Sequence, residues 1–237
     1  MKKILITNDD GIGSDGILRL AGIAKEFGEV WIVAPDSQRS AMSHSINFHD
    51  SVEVWPVEFG LEGVHAYACS GTPADCAKIG ILNIVPGGPD HVFSGINNGL
   101  NVASDLQYSA TVGAALEAAF LKKHAAAFSE EAIDQHEVTD RYIREITEKL
   151  LNSPLGPNEI WNVNFPCCKA EECKGILYER TVSSDNYYND SYVVTEMPDG
   201  KLSFKVNAER NWKAAEGTDL KAVIDKYVSV GIVRNLM

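Results

Sequence analysis

Short runs of β-branched and aliphatic residues alternate with helix-period stretches through the first half of the chain, and this alternation predicts a parallel sheet wrapped by helices. Residues 4–7 read as a buried strand. Residues 17–27 place Ile17, Leu20, Ala21 and Ala24 on one helical face and stop at Gly28, and 30–34 form a second strand ended by Pro35-Asp36. Farther along, 52–57 and 64–69 read as strands, 71–85 as a turn and an amphipathic helix, and 91–94 as a strand. Residues 109–121 form an alanine-rich helix, and 138–151 a second one with Tyr142, Ile146 and Leu150 on one face. The second half changes character: 192–197 and 201–206 flank Pro198-Asp199-Gly200, a β-hairpin signal, and 219–226 and 227–233 close the chain as helix and strand. The expected architecture is a three-layer, Rossmann-like α/β fold with a mostly parallel sheet. Residues 1–237 are expected to form one domain, with a hairpin arm protruding at about 183–212.

Charge narrows the partners. The chain carries 33 acidic against 21 basic residues, a net charge of −12, and no Lys/Arg-rich run. A nucleic-acid polymer is a poor partner for such a surface. A small anionic substrate fits if a metal supplies the positive charge. Lys2-Lys3 leads straight into the first strand with no secretion-type apolar segment, and no run has the length to span a bilayer, so a cytoplasmic chain without membrane contact is expected. The five cysteines, three of them in "CCKAEEC", lack paired zinc-ligand spacing and read as free thiols.

The stretch "ILITNDDGIGSDG" holds a literal G-x-G-x-x-G at Gly11, Gly13 and Gly16, with Asp36 about 20 residues on, as a dinucleotide site would have it. Asp9, Asp10 and Asp15 argue against that ligand, since each repels a pyrophosphate by on the order of 4 kcal/mol at ~4 Å and an effective dielectric near ~20. The glycines suit a tight turn and close helix packing. Ligands of an open parallel sheet bind beyond the carboxyl ends of its strands, where Asn8-Asp9-Asp10, Asp36 with Ser40, and Asn97-Asn98 all fall. Carboxylate, hydroxyl and amide oxygens are the donors that Mg²⁺ and Mn²⁺ prefer, although an Asp-Asp pair also serves as a helix cap. Ser109 and Thr111 stand at the mouth of a helix, as phosphate donors or as a simple N-cap. Asn8 and His44 are further candidate substrate contacts, and Arg39 steadies either a phosphate or its own loop. An aspartyl-nucleophile phosphatase of the Asp-x-Asp type is set aside because Asn8 occupies its first position. Two other classes share parts of the pattern: a nicotinamide oxidoreductase and a phospho-receiver module.

Taken together, "NDDG", "VAPDSQRSAMSHSI", "GTPADC", "SGINNGLN", "YSATVGAA" and "GTDLKAVIDKYVSV", in this order from residue 1 to about 233, resemble the SurE family of stationary-phase survival proteins. The resemblance implies a metal-dependent phosphatase of nucleoside 5′-monophosphates, with one Mg²⁺ or Mn²⁺ per subunit. It also implies a homodimer or homotetramer built from exchanged C-terminal elements. Carried over by position, the metal ligands are Asp9, Asp10, Ser40 and Asn97, with Asp9 and Asp10 catalytic, and Asn101, Ser109 and Thr111 line the phosphate pocket. One departure stands out: Ala110 sits where the family usually has glycine, and an altered phosphate affinity is expected from the backbone freedom lost there.

Overall fold

Alternate residues of the first strand, β1 (Lys2–Thr7), enter two different cores. Ile4 and Ile6 pack with one pair of helices, and Leu5 packs with another pair on the opposite face. The computed structural model describes residues 1–131 and 136–234. Its elements run β1, α1 (Asp15–Ala24), β2 (Gly28–Pro35), β3 (Val54–Pro56), β4 (Val64–Cys69), α2 (Pro73–Ile79), β5 (His91–Asn98), α3 (Ala110–Phe120), β6 (His124–Glu130), α4 (Glu137–Leu150) and β7 (Glu159–Phe165). Then follow β8 (Ile176–Arg180), β9 (Tyr188–Glu196), β10 (Leu202–Arg210), α5 (Asp219–Ile224) and β11 (Val228–Arg234).

The main sheet has nine strands in the order β3-β4-β2-β1-β5-β6-β7-β11-β8. The stretch from β4 to β7 is parallel throughout, whereas β3 and β11 run against their neighbours β4 and β7. Helices α1 and α4 cover one face and α2 and α3 the other, which gives the expected three layers. Strand order reverses between β1 and β5, so the chain opens a crevice there, at the carboxyl ends of both. A smaller cluster of Leu100, Val102, Tyr187, Leu220 and Val223 packs α5 beneath the hairpin base.

Several expectations are corrected. The helix of 71–85 is α2, opened by a Thr72–Asp75 capping box, followed by a π-helical turn at Gly80–Ile84. Strand β5 continues to Asn98 rather than ending at Ser94, through an irregularity in its pairing with β6 between Ser94 and Asn97. Gly95 permits that bulge: its φ is +130°, and a Cβ there would overlap the carbonyl oxygen of Phe128. Strands β6, β7 and β8 were not anticipated. The hairpin is a separate two-stranded sheet, longer than the turn signal suggested, with Tyr188 opposite Arg210 at its base. No helix among the described residues is long and apolar enough to cross a membrane.

Candidate active site

The glycine loop is a brace for acidic side chains. Asn8, fully buried at the end of β1, donates through Nδ2 to the carbonyl of Gly11 (2.9 Å) and to Ser14 Oγ (2.8 Å). Both N–H groups of this amide are therefore engaged within the loop, leaving no donor for a phosphate, while its buried Oδ1 has no partner among the described residues. Gly11 turns the chain at φ +95°, and Gly16 lets α1 pass so close to β5 that a Cβ would overlap the Ile96 carbonyl oxygen. Gly13 faces open space. Two of the three glycines thus have local structural reasons that need no dinucleotide.

The loop delivers two carboxylates into the crevice. Asp9 is 4% exposed; its Oδ1 accepts from Thr111 Oγ1 at 2.6 Å, and its backbone oxygen accepts from the Arg39 amide at 2.7 Å. Burial pushes its carboxyl up to about 6, opposed by the Thr111 bond and reinforced by the charge of Asp10. Asp10 is raised as well, again by burial, and its Oδ2 accepts from the Asn98 amide at 3.0 Å. Among the described residues no Lys, Arg or His forms an ion pair with either acid. Negative charge concentrated in a buried crevice without a protein counter-charge is a fit for a cation.

Three other elements converge on these acids. On β5, Asn97 is buried and donates from Nδ2 to the Gly99 carbonyl (2.7 Å), leaving its amide oxygen uncommitted. After β2, the Arg39–Asp9 backbone bond pins the loop to the acids one residue before Ser40, whose exposed hydroxyl accepts from Gln38 Nε2 at 3.1 Å. The Arg39 guanidinium holds its own loop, donating to Asp36 and to the Ser70 carbonyl at 3.3 Å each. The third element is α3, whose N-cap Ser109 accepts from the Val112 amide at 3.1 Å. The amides of Ala110 and Thr111 in its first turn have no intrahelical acceptor and mark an anion position. Ala110 is itself an ordinary helical residue and not one of those with positive φ, so the conformational reason for expecting glycine there does not apply.

Asn101 lies deeper than a pocket wall. Its Nδ2 donates to Ser129 Oγ (2.7 Å), its amide to Asn164 Oδ1 (2.8 Å), and its carbonyl accepts from Asn162 and Asn164 (2.9 and 3.1 Å). His44 lies along α3 from the acids: Nε2 meets Glu117 Oε2 at 2.8 Å and the ring stacks on Phe120. Ser129, Asn162, Asn164 and Glu117 escaped sequence reasoning; the alternating asparagines of "NVNF", polar inside a buried strand, were the available signal. No group of three or more His, Cys, Asp or Glu residues disposed to hold a metal is found among the described residues. The candidate oxygen donors are two carboxylates with an amide and a hydroxyl, donors of the kind a hard ion that keeps some of its water takes.

Known proteins resemble the chain over most of its length. A family model described as "Survival protein SurE" matches residues 4–189. A protein named 5′-nucleotidase SurE from Clostridium botulinum (strain Loch Maree / Type A3) is 36% identical over 231 residues, covering 96% of this chain and 90% of the relative. The protein of the same name from Caldanaerobacter subterraneus subsp. tengcongensis is 38% identical over 235 residues, covering 96% and 89%. The crystal structure of the SurE protein from Aquifex aeolicus superposes with a TM-score of 0.84 at 34% identity, over 99% of this chain and 94% of that one.

Proposed function

The chain belongs to the SurE family, and from that premise we propose that it hydrolyses nucleoside 5′-monophosphates to nucleoside and inorganic phosphate, using one Mg²⁺ or Mn²⁺ per subunit. It is a phosphoric monoester hydrolase, like the relatives named 5′-nucleotidase. One observation carries the site assignment: Thr111 on the anion-ready end of α3 is hydrogen-bonded to Asp9, so the cation-seeking and phosphate-seeking halves of the crevice share one contact.

Asp9 and Asp10 hold the ion, with the amide oxygen of Asn97 and the hydroxyl of Ser40 completing the protein's share. When bound, the ion polarises a phosphoryl oxygen and offsets the charge of the transferring group. Thr111 orients Asp9 through its hydroxyl, while Ser109 and the first-turn amides of α3 receive the remaining phosphoryl oxygens. Asn8 shapes the acidic loop, and Asn101 fixes the floor between β5, β6 and β7. Neither needs to touch substrate in this reading. The exposed apolar hairpin supports assembly as a homodimer or homotetramer, with β9 and β10 covered by another copy.

The test is inorganic phosphate release from a panel of nucleoside monophosphates with Mg²⁺ or Mn²⁺, repeated after chelation. Release that depends on the metal is expected; equal release with chelator present contradicts the ion's role, and none from any nucleotide contradicts the substrate class.

A further inference from the structure

We propose that Glu117 is a positioning residue for the cation site, its buried carboxylate holding the Ser40 loop against the phosphate helix; this rests on the reading of Ser40 as a ligand. Glu117 is 7% exposed and sits on α3 six residues beyond Thr111, about 9 Å along the helix axis, so it is remote from the reacting atoms. Its Oε2 meets His44 Nε2 at 2.8 Å and its Oε1 meets Lys78 Nζ of α2 at 2.9 Å. One carboxylate therefore ties a loop and two helices together. His44 holds this carboxyl below its usual range and Lys78 adds to the effect, against the opposing influence of burial.

The loop needs such a clamp. Residues 36–47 follow β2, and their Ser43–His44 part lies on α3, where Gly113 makes room: a Cβ there would overlap the Ser43 carbonyl oxygen. Ala41 and Ser43 adopt left-handed conformations, φ +57° and +53°, that L-residues disfavour, so external bonds must define the turn. Ser43 supplies two, from its amide to the Tyr108 carbonyl (3.0 Å) and from its hydroxyl to the Gln107 carbonyl (2.7 Å). Thr72 donates to the Ser45 carbonyl at 2.7 Å, and the Asn47 amide donates to Asp75 at 3.1 Å. Ser40 lies between the Arg39–Asp9 bond on one side and this set on the other. The His44–Glu117 contact is the member of the set that joins two titratable side chains, and the one that reaches farthest down α3. Releasing it loosens the turn on the Ser40 side while leaving Thr111 and Ser109 in place.

The experiment is calorimetric titration of the metal-free protein with Mn²⁺ for wild type, Glu117→Gln, His44→Ala, Ser40→Ala and the Glu117→Gln/Ser40→Ala pair, alongside nucleotide KM. Glu117→Gln and His44→Ala are expected to weaken Mn²⁺ binding about 10-fold, as losses around a metal site commonly do, with KM nearly unchanged. The double variant should bind no more weakly than Ser40→Ala alone, because both changes act through one ligand. If Glu117→Gln does not fold, His44→Ala, whose partly exposed side chain leaves the interior of α3 intact, carries the same comparison. Unchanged Mn²⁺ affinity in the folded variants, or additive losses in the pair, overturns the clamp and leaves the proposed activity standing. Absence of Mn²⁺ binding by wild type overturns both.

Discussion

Polar groups are buried where β1 and β5 end, whereas apolar groups are exposed along the β9–β10 hairpin. Asp9, Asn97, Asn101, Ser109 and Thr111 are each at most 9% exposed, while Tyr192, Val194, Phe204 and Val206 are each more than half exposed. Both arrangements are unfavourable in an isolated subunit. A buried polar group short of partners costs about 1–3 kcal/mol, and exposed apolar surface forgoes about 25 cal/mol per Å² of burial. The difference lies in what relieves each one. Paired acids without a protein counter-charge call for a small cation, and an apolar ribbon calls for a protein surface. In the proposed reading, function sits where the rules of burial are broken, and the kind of breakage points to the kind of partner.

Removing a charge from the crevice is the strongest way to break this contrast. Asp9→Asn should lower phosphate release by about 10³-fold, the effect of several kcal/mol of lost charge stabilisation. In chelator, its thermal midpoint should equal or exceed that of wild type, because a buried charge without a counter-ion has been removed. A variant with full activity, or one that unfolds, contradicts the assignment. Thr111→Val should cost about 10- to 100-fold in phosphate release, the range of one or two hydrogen bonds to charged groups, read as kcat/KM on the folded protein.

The hairpin side is broken by Phe204→Asp with Val206→Asp. These residues face Val194 and Tyr192 across the ribbon, and the pair of charges should weaken self-association at least ~10-fold by desolvation alone. Sedimentation velocity reads this as a shift to smaller species; an unchanged distribution removes the hairpin from the assembly.

The smallest effect sharpens the contrast from the far end of β5. His91 is buried there, and burial first, then His124 and Lys2, push its imidazole down from 6.5 to about 4. The folded protein keeps it neutral while the unfolded chain takes up a proton below 6.5, so this contribution to stability is present above pH 6.5 and is lost as pH falls toward 4. Urea midpoints should fall over that window and fall less in His91→Leu; parallel profiles contradict the assignment. The hairpin has no histidine and offers no such dependence.

What could be read from the chain follows the same physics. Strands with β-branched residues and helices with a clear apolar stripe were legible: β4 was bounded as observed, and α3 and α4 to within a residue at each end. Strand β6 was not, because "HAAAFSE" is built around three consecutive alanines, whose small side chains suit a sheet closely covered on both faces yet carry no β signal. The extension of β5 was hidden by Gly95 and two asparagines, which read as a loop until neighbouring strands pair with them. The acids and the helix mouth were recognisable by residue type. Their direct contact was not, since Asp9 and Thr111 stand 102 residues apart. The roles of Asn8, as a loop brace, and of His44, against Glu117, likewise depend on partners that only the folded chain supplies.

The most direct test is a crystal grown with Mn²⁺ and measured for anomalous scattering. One strong peak per subunit is expected between the Asp9 and Asp10 carboxylates and within ligand distance of Asn97. A peak elsewhere, or a crevice in which Asp9 contacts only Thr111 while the protein releases phosphate, would contradict the claim that a cation held at the carboxyl ends of β1 and β5 makes the acidic mouth receptive to phosphate.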